Sequence, residues 1–232
     1  MTEPVLKLTN VTVRYDPSGK EILDNFCLEI HAGEKVALLG LNGSGKTTLL
    51  YTVAGLLRYK GDITVAGNHI NKQHKNHIHD HAGFLFSIPD DQILFPKVID
   101  DTAFGLLRKR IPRDIAFKKA SSILERLGIG HLAESSPYHL SHGERQRVAL
   151  SGAVIGDPQI LLLDEPSASL DPLAKESFCR LFESFGMTVI LATHDMELAS
   201  RICDRFIVLH KGRIIHDCKN IEMVEDYWKK LD

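Results

Sequence analysis

Apolar and polar positions along the chain switch between two repeats. Near the start, Val5, Leu6, Leu8, Val11 and Val13 stand among polar residues, a pattern that predicts a half-buried strand. Pro17-Ser18-Gly19 marks a turn, and residues 22–30 read as a second strand closed by His31-Ala32-Gly33-Glu34. Residues 35–40 (KVALLG) are apolar almost throughout, which predicts a short buried strand. A glycine-rich turn follows, then a helix from 46 to about 57. This strand–loop–helix order opens a parallel α/β sheet. Residues 60–70 alternate between glycines, and 82–87 (AGFLFS) predict another short strand. From 98 to 140 the repeat becomes helical, carried by Ile115, Ala116, Lys119, Ala120, Ile123, Leu124 and Leu127. Pro112 and Pro137 bracket this section, which reads as a helical insertion. A further helical run covers 148–155. Strands return at 160–163, 188–192 and 206–209. Phe178, Phe182 and Phe185 recur at helical spacing, so core packing is expected there. Residues 224–232 predict a short amphipathic helix, with Tyr227 and Trp228 free to pack on the domain or on a second subunit. There is no internal repeat and no low-complexity segment.

Composition narrows the class. The chain has 232 residues, the size of one large domain or one domain with an insertion. Hydrophobic residues make up 44% and charged residues 25%, ordinary globular usage that excludes a disordered chain. Lys plus Arg is 28 against 30 for Asp plus Glu, a formal net charge of −2, which lends no support to a strongly basic nucleic-acid binder. No apolar run approaches the ~20 residues of a membrane helix, and the start, Met-Thr-Glu-Pro, shows no signal peptide. The cysteines Cys27, Cys179, Cys203 and Cys218 form no CxxC pair, which fits buried thiols in a reducing compartment. The expectation is a soluble, intracellular protein that can still dock on a membrane protein.

The chemistry lies in three places. Residues 40–48 read Gly-Leu-Asn-Gly-Ser-Gly-Lys-Thr-Thr, the GxxxxGK[ST] spacing after a strand and before a helix. The glycines Gly40, Gly43 and Gly45 let backbone N–H groups turn inward around an anion, with Asn42, Ser44 and Thr48 in the same cradle. The helix N-terminus adds partial positive charge. Lys46 should reach the β- and γ-phosphates, and the Thr47 hydroxyl should hold Mg²⁺. The apolar strand 160–163 ends in Asp164-Glu165-Pro166. Asp164 is placed for the second shell of Mg²⁺, and Glu165 could polarise an attacking water as general base. Ser141 with Glu144 has the S-x-x-E spacing of a capping box. A helix N-terminus with a free serine hydroxyl and a glycine N–H is also an anion site.

These elements together resemble the nucleotide-binding subunit of ATP-binding-cassette (ABC) transporters, over about residues 5–216. GLNGSGKTT, LSHGERQRVAL, ILLLDEPSASLD and the turn Thr193-His194-Asp195 carry the likeness in order. The resemblance implies an α/β P-loop NTPase (RecA-like) core with an antiparallel β subdomain and an inserted α-helical subdomain. It divides a single domain of residues 1–232 into a core of 1–88 and 150–232 and a helical insertion of 89–149 ending in the signature motif. It implies ATP and Mg²⁺ as cofactors, with Thr47 and Asp164 as metal-binding residues. Lys46, Glu165 and His194 are the implied catalytic residues. Two subunits, identical or paralogous, sandwich ATP head to tail in that family. Ser141 and the Gly143 N–H would bind the γ-phosphate held by the partner, and His194 would contact the γ-phosphate. Asp171 would belong to the interface loop, and Tyr15 stands where the family stacks an aromatic on adenine. His142 stands where the family often has glycine.

One position departs. After a strand like AGFLF the family usually has a glutamine bridging Mg²⁺, the lytic water and the transporter contact; here it is Ser87. Water fills the gap, Gln92 moves in, or hydrolysis is slowed. The next segment, Pro89-Asp90-Asp91-Gln92-Ile93-Leu94-Phe95, resembles the PDDQ-F pattern of ATPases in energy-coupling-factor importers of transition-metal ions or vitamins, cobalt, nickel and biotin among them. That implies a transmembrane coupling protein and a substrate-binding membrane protein as partners, and a peripheral place on the cytoplasmic face of the cell membrane. The alternative is the ATPase of another class of ABC importer or exporter. Soluble ABC proteins acting on nucleic acid usually carry two cassettes, coiled coils or zinc motifs, none of which is seen, so no nucleic-acid partner is expected. Five histidines fall between His69 and His81, and His77 and His81 have the i, i+4 spacing of a metal pair. No cysteine or Glu/His constellation completes a site, so a solvated surface helix is expected.

Overall fold

In the computed structural model β1 (Leu6–Val13) and β2 (Leu23–Ile30) form an antiparallel pair, with Leu6 opposite Ile30. The model describes residues 3–16, 18–70, 75–183 and 186–228, with the backbone alone at 75–77, 183 and 225–228. The alternation read from the sequence is the burial pattern: Leu6, Leu8, Val11 and Val13 all face inward. Then come β3 (Lys35–Leu39), α1 (Lys46–Val53), β4 (Tyr59–Val65), β5 (Asn68–His69), α2 (Lys75–His81) and β6 (Ala82–Leu85). A 3₁₀ turn at Pro89–Asp91 leads into three helices, α3 (Val98–Arg108), α4 (Arg113–Arg126) and α5 (His142–Val154). The chain closes with β7 (Ile160–Asp164), α6 (Pro172–Glu183), β8 (Thr188–Thr193), α7 (Met196–Ile202), β9 (Arg205–His210), β10 (Arg213–Cys218) and α8 (Ile221–Trp228).

The strands make two sheets. One is antiparallel, in the order β2-β1-β4-β5. The other runs β10-β9-β3-β8-β7-β6, parallel except at the β9–β10 edge. Strands β3, β7 and β8 are covered on both faces, so their residues are apolar in continuous runs. Alternate residues serve different cores. Val36, Leu38, Leu162 and Ile190 pack with the antiparallel sheet and α1, while Ala37, Leu39, Leu161, Leu163 and Leu191 pack with residues of α3–α7. Each buried Leu or Ile is worth roughly 1.5–3 kcal/mol over exposure. A one-residue slip of β3 would exchange the two sets, and this pins the register. That register sets Asp164 opposite Ala192 and Leu39 opposite Thr193, so three strands end at one edge.

Several boundaries differ from the sequence pattern. Helix α1 stops at Val53, not near 57. Gly55 takes a left-handed conformation (φ +74), its N–H donates to the Thr52 carbonyl at 3.0 Å, and Leu56 N–H donates to the Tyr51 carbonyl at 2.9 Å. That cap ends the helix and leaves Leu56 exposed. Strand β6 stops at Leu85 because its ladder with β7 ends there. Helix α5 starts at His142, not Val148, and runs unbroken past 149/150. Of the four cysteines only Cys179 and Cys203 are buried; Cys27 is exposed, contrary to the expected buried thiols. Phe178 and Phe182 pack with tilted rings in the core, centroids 4.8 Å apart. Pro17 and Phe185 lie outside the described residues, as do the side chains of Tyr227 and Trp228. Among the described residues no helix is long and apolar enough to cross a membrane.

Candidate nucleotide site

The loop 40–45 leaves β3 and enters α1, bringing Ser44 and Lys46 inside while Asn42 and Gly43 stay at the surface. Gly45 caps α1 with φ +108, and a Cβ there would lie 3.1 Å from the Leu23 side chain, so only glycine fits without strain. The Ser44 Oγ is buried and has no hydrogen-bond partner among the described residues. An orphaned buried hydroxyl costs roughly 1–3 kcal/mol, and an anion seated in the loop would relieve it.

Lys46 Nζ donates to the Gly40 carbonyl at 2.7 Å and lies 3.7 Å from Glu165 Oε1. Burial pulls the Lys46 pKa down, and the neighbouring carboxylates Glu165 and Asp164 oppose that. Thr47 Oγ1 donates to Asp164 Oδ1 at 2.9 Å. Burial pushes the Asp164 carboxyl above its ordinary range, the Thr47 bond working against it. A buried carboxylate beside a hydroxyl is a hard oxygen donor pair that suits Mg²⁺, and the cation would offset the desolvation of Asp164.

Glu165 follows β7 with a left-handed backbone (φ +44), its N–H held by the Ala192 carbonyl at 2.8 Å. This kink sends its side chain toward the next strand end. Glu165 Oε2 accepts from Thr193 Oγ1 at 3.1 Å and from His194 Nδ1 at 3.0 Å. The exposed His194 and half-buried Glu165 thus form a chain to Lys46. Thr193 is named in the sequence only as part of the turn Thr193-His194-Asp195, with no role of its own; its hydrogen bond to Glu165 comes from the fold. Tyr15 is exposed, and its hydroxyl is hydrogen-bonded to Thr48 Oγ1 at 2.9 Å, which sets the ring beside the loop.

Ser141 and Gly143 lie apart from this cluster. Glu144 N–H donates to Ser141 Oγ at 3.3 Å, and Glu144 Oε2 accepts from Ser141 N at 2.8 Å, completing the capping box. The Ser141 hydroxyl also donates to Glu144 Oε2 at 2.7 Å, so it is not free as the sequence reading supposed. A hollow of about 260 Å³ beside Ser141, Gly143 and Arg147 is also lined by Leu170 and Ala174, and by no residue of 40–48. Asp171 is exposed and caps α6 by accepting from Ala174 N at 2.8 Å.

Ser87 is half-buried, and Gln92 does not fill the space it leaves. Gln92 Oε1 accepts from Phe86 N, and its Nε2 donates to the carbonyls of Phe84 and Ala149. In the histidine segment, His81 Nε2 lies 3.3 Å from Asn68 Nδ2, and burial lowers the His79 pKa. Among the described residues no three His, Cys, Asp or Glu side chains gather as a metal site; His74 and the His77 side chain lie outside them.

The chain is similar to several known proteins. A family profile described as ABC transporter matches residues 23–168. A protein of Brucella suis provisionally named as an ABC transporter ATP-binding protein is 41% identical, over 92% of this chain and 89% of its own length. An energy-coupling factor transporter ATP-binding protein, EcfA2, of Methanospirillum hungatei is 39% identical over 92% of this chain and 55% of its own. The structure of cbiO1 from Clostridium perfringens, part of the ABC transporter complex cbiONQ, superposes with a TM-score of 0.87 at 31% identity, covering 97% of this chain and 92% of that one. A dimeric post-hydrolysis structure of the ATP-binding cassette MJ0796, bound to ADP and Pi, has a TM-score of 0.82 at 28% identity, covering 92% and 98% of the two chains.

Proposed function

This chain belongs to the ABC transporter family and is an ATPase that uses ATP with Mg²⁺, and from that premise we propose that it powers an energy-coupling-factor importer of a transition-metal ion or vitamin. Cobalt, nickel and biotin are the candidate cargoes. The supporting observation is the turn Pro89–Asp91 with Gln92. Ile88 and Leu94 beside it are exposed, and a hollow of about 340 Å³ lies next to it, lined by Phe84, Phe86, Gln92, Phe104 and Arg108. Such an apolar face on a chain without a membrane helix among its described residues suits a membrane-embedded partner. The likeness to EcfA2 supports the same class. The Brucella relative is provisionally named for no cargo, which keeps the ATPase of another ABC class as the second reading.

In the proposed mechanism the loop N–H groups and the Ser44 hydroxyl seat the phosphates. Lys46 exchanges its bond to the Gly40 carbonyl for the β- and γ-oxygens. Thr47 and Asp164 would hold Mg²⁺, which neutralises charge on those oxygens. Tyr15 stacks on the base. Glu165 takes the proton of a water whose oxygen bonds to the γ-phosphorus as the bridging P–O bond breaks and ADP leaves. His194 keeps the Glu165 carboxylate aimed and touches the γ-phosphate. Ser141 and Gly143 close the site from the partner subunit, which fits their separation from the loop. In this scheme residues 1–88 and 150–232 are the nucleotide core and 89–149 the helical insertion. Docked on its partners, the chain sits at the cytoplasmic membrane face.

Co-expression with the neighbouring reading frames tests the reading. A small, very hydrophobic substrate-binding protein and a separate membrane coupling protein should copurify with the chain. Vesicles holding that complex should take up one of the named cargoes with ATP. Copurification with a two-part permease alone would favour the second reading.

A further inference from the structure

The turn after β6 is tied to the signature helix by side chains that the catalytic scheme does not use. The Gln92 amide makes three hydrogen bonds: 3.1 Å from Phe86 N, 3.1 Å to the Phe84 carbonyl and 2.9 Å to the Ala149 carbonyl on α5. Asp90, two residues before, forms an ion pair with Arg145 at 3.3 Å. Arg145 in turn donates to the Leu140 carbonyl at 2.5 Å, the residue before Ser141. Arg145 and Ala149 stand one turn apart, so both ties fall on one face of α5. On the far side, Asp101 of α3 accepts from Leu94 N at 2.7 Å and Phe95 N at 3.1 Å. Thr102 and Ser151 join α3 to α5 through a buried hydroxyl pair at 2.7 Å. Toward the phosphate-loop helix, the rings of Phe84 and Phe86 meet at a tilt with centroids 4.5 Å apart, and each also packs on Tyr51 of α1.

We propose that residues 88–95 and α5 move as one body, with Gln92 as the positioning residue that joins the end of β6 to the signature helix. The inference rests on the reading that the exposed Ile88 and Leu94 face meets a membrane partner. A load on that face then reaches Ser141 and Gly143 through Gln92 and the Asp90–Arg145 pair, without a long side chain at 87. The amide suits this task because it donates and accepts at once. A hydrocarbon of similar size would leave Phe86 N–H and two carbonyls to find other partners.

The full chain carrying Gln92→Leu tests the brace by hydrogen exchange in the presence of ATP. Exchange should rise about tenfold at Phe86 and, in step, over residues 142–146, on the scale of a lost hydrogen bond or two. The strands β3 and β8 should stay protected. A rise confined to Phe86 and the turn would overturn the proposal. In the complex with its membrane partners, Gln92→Leu should cut partner-stimulated hydrolysis about tenfold, while basal kcat and the KM for ATP hold within about twofold. Full stimulation in the variant would equally overturn it. Gln92→Glu keeps the acceptor for Phe86 N but loses the donor to both carbonyls, so it should uncouple as well even if the leucine variant folds poorly. Should the wild-type complex show no stimulation, the transporter reading fails, and the joint or separate exchange response alone decides the brace.

Discussion

Glu165 illustrates how a single residue is made ready for chemistry. Its left-handed backbone costs roughly 1–3 kcal/mol for a non-glycine residue, and the bond from its N–H to the Ala192 carbonyl holds it there. In this conformation the carboxylate is within reach of Thr193 and His194. Ser44 shows the converse, a buried hydroxyl with no hydrogen-bond partner among the described residues. Ser87 stands where the resemblance implies a glutamine. Gln92 is committed to three bonds elsewhere and does not take the place of the missing amide. Ser87→Gln is therefore expected to raise ATP hydrolysis or tighten its coupling. Steady-state rates and transport per ATP in the assembled transporter check this, and unchanged values in both would refute it.

At the scale of elements, charged clamps set helix against helix around the site. Glu176 on α6 is paired with Arg201 of α7 and with Arg180 one turn along its own helix. Its hydrogen bonds with Arg201, then Arg180, lower its pKa from an ordinary 4.5 to about 2. A carboxylate depressed in the folded state lends stability that is present above its unfolded pKa and is lost as pH falls through the folded one. The clamp should thus weaken between pH 4.5 and about 2. Melting temperature followed over that window should fall less steeply in Glu176→Gln than in the wild type, and parallel curves would remove the clamp from the acid response. The same elements carry Asp195, the N-cap of α7, whose ion pair with Lys175 fixes the segment after His194.

At the scale of the whole molecule, the proposed site residues fall in two separate places. The phosphate loop, Asp164, Glu165 and His194 share one edge of the parallel sheet, whereas Ser141 and Gly143 line a separate hollow. In the proposed mechanism, closure on a second subunit would bring the two halves together. Glu165→Gln keeps the size and the hydrogen-bonding reach of the side chain but removes the base. With MgATP this variant should accumulate as a closed dimer and lose nearly all turnover, read by size-exclusion chromatography and phosphate release. Hydrolysis at the wild-type rate would remove Glu165 from the base role.

Most of the strands and helices, the phosphate loop and the acid pair were legible in the sequence, because each is local: a spacing, a run or a cap within a dozen residues; α7 and β10 were not read there. The capping box at Ser141 and Glu144 was legible for the same reason. Where α1 stops was not, since the cap at Gly55 depends on which of several compatible turns the packing selects. Nor could sequence alone set Thr193 against Glu165, or Gln92 against Ala149, because residues 28 and 57 positions apart meet only once the sheet register and the helix packing are set. The sequence determined what kind of chemistry the chain carries. The tertiary structure decided which groups already hold one another, because hydrogen bonds need distances that only the assembled sheet and helices provide.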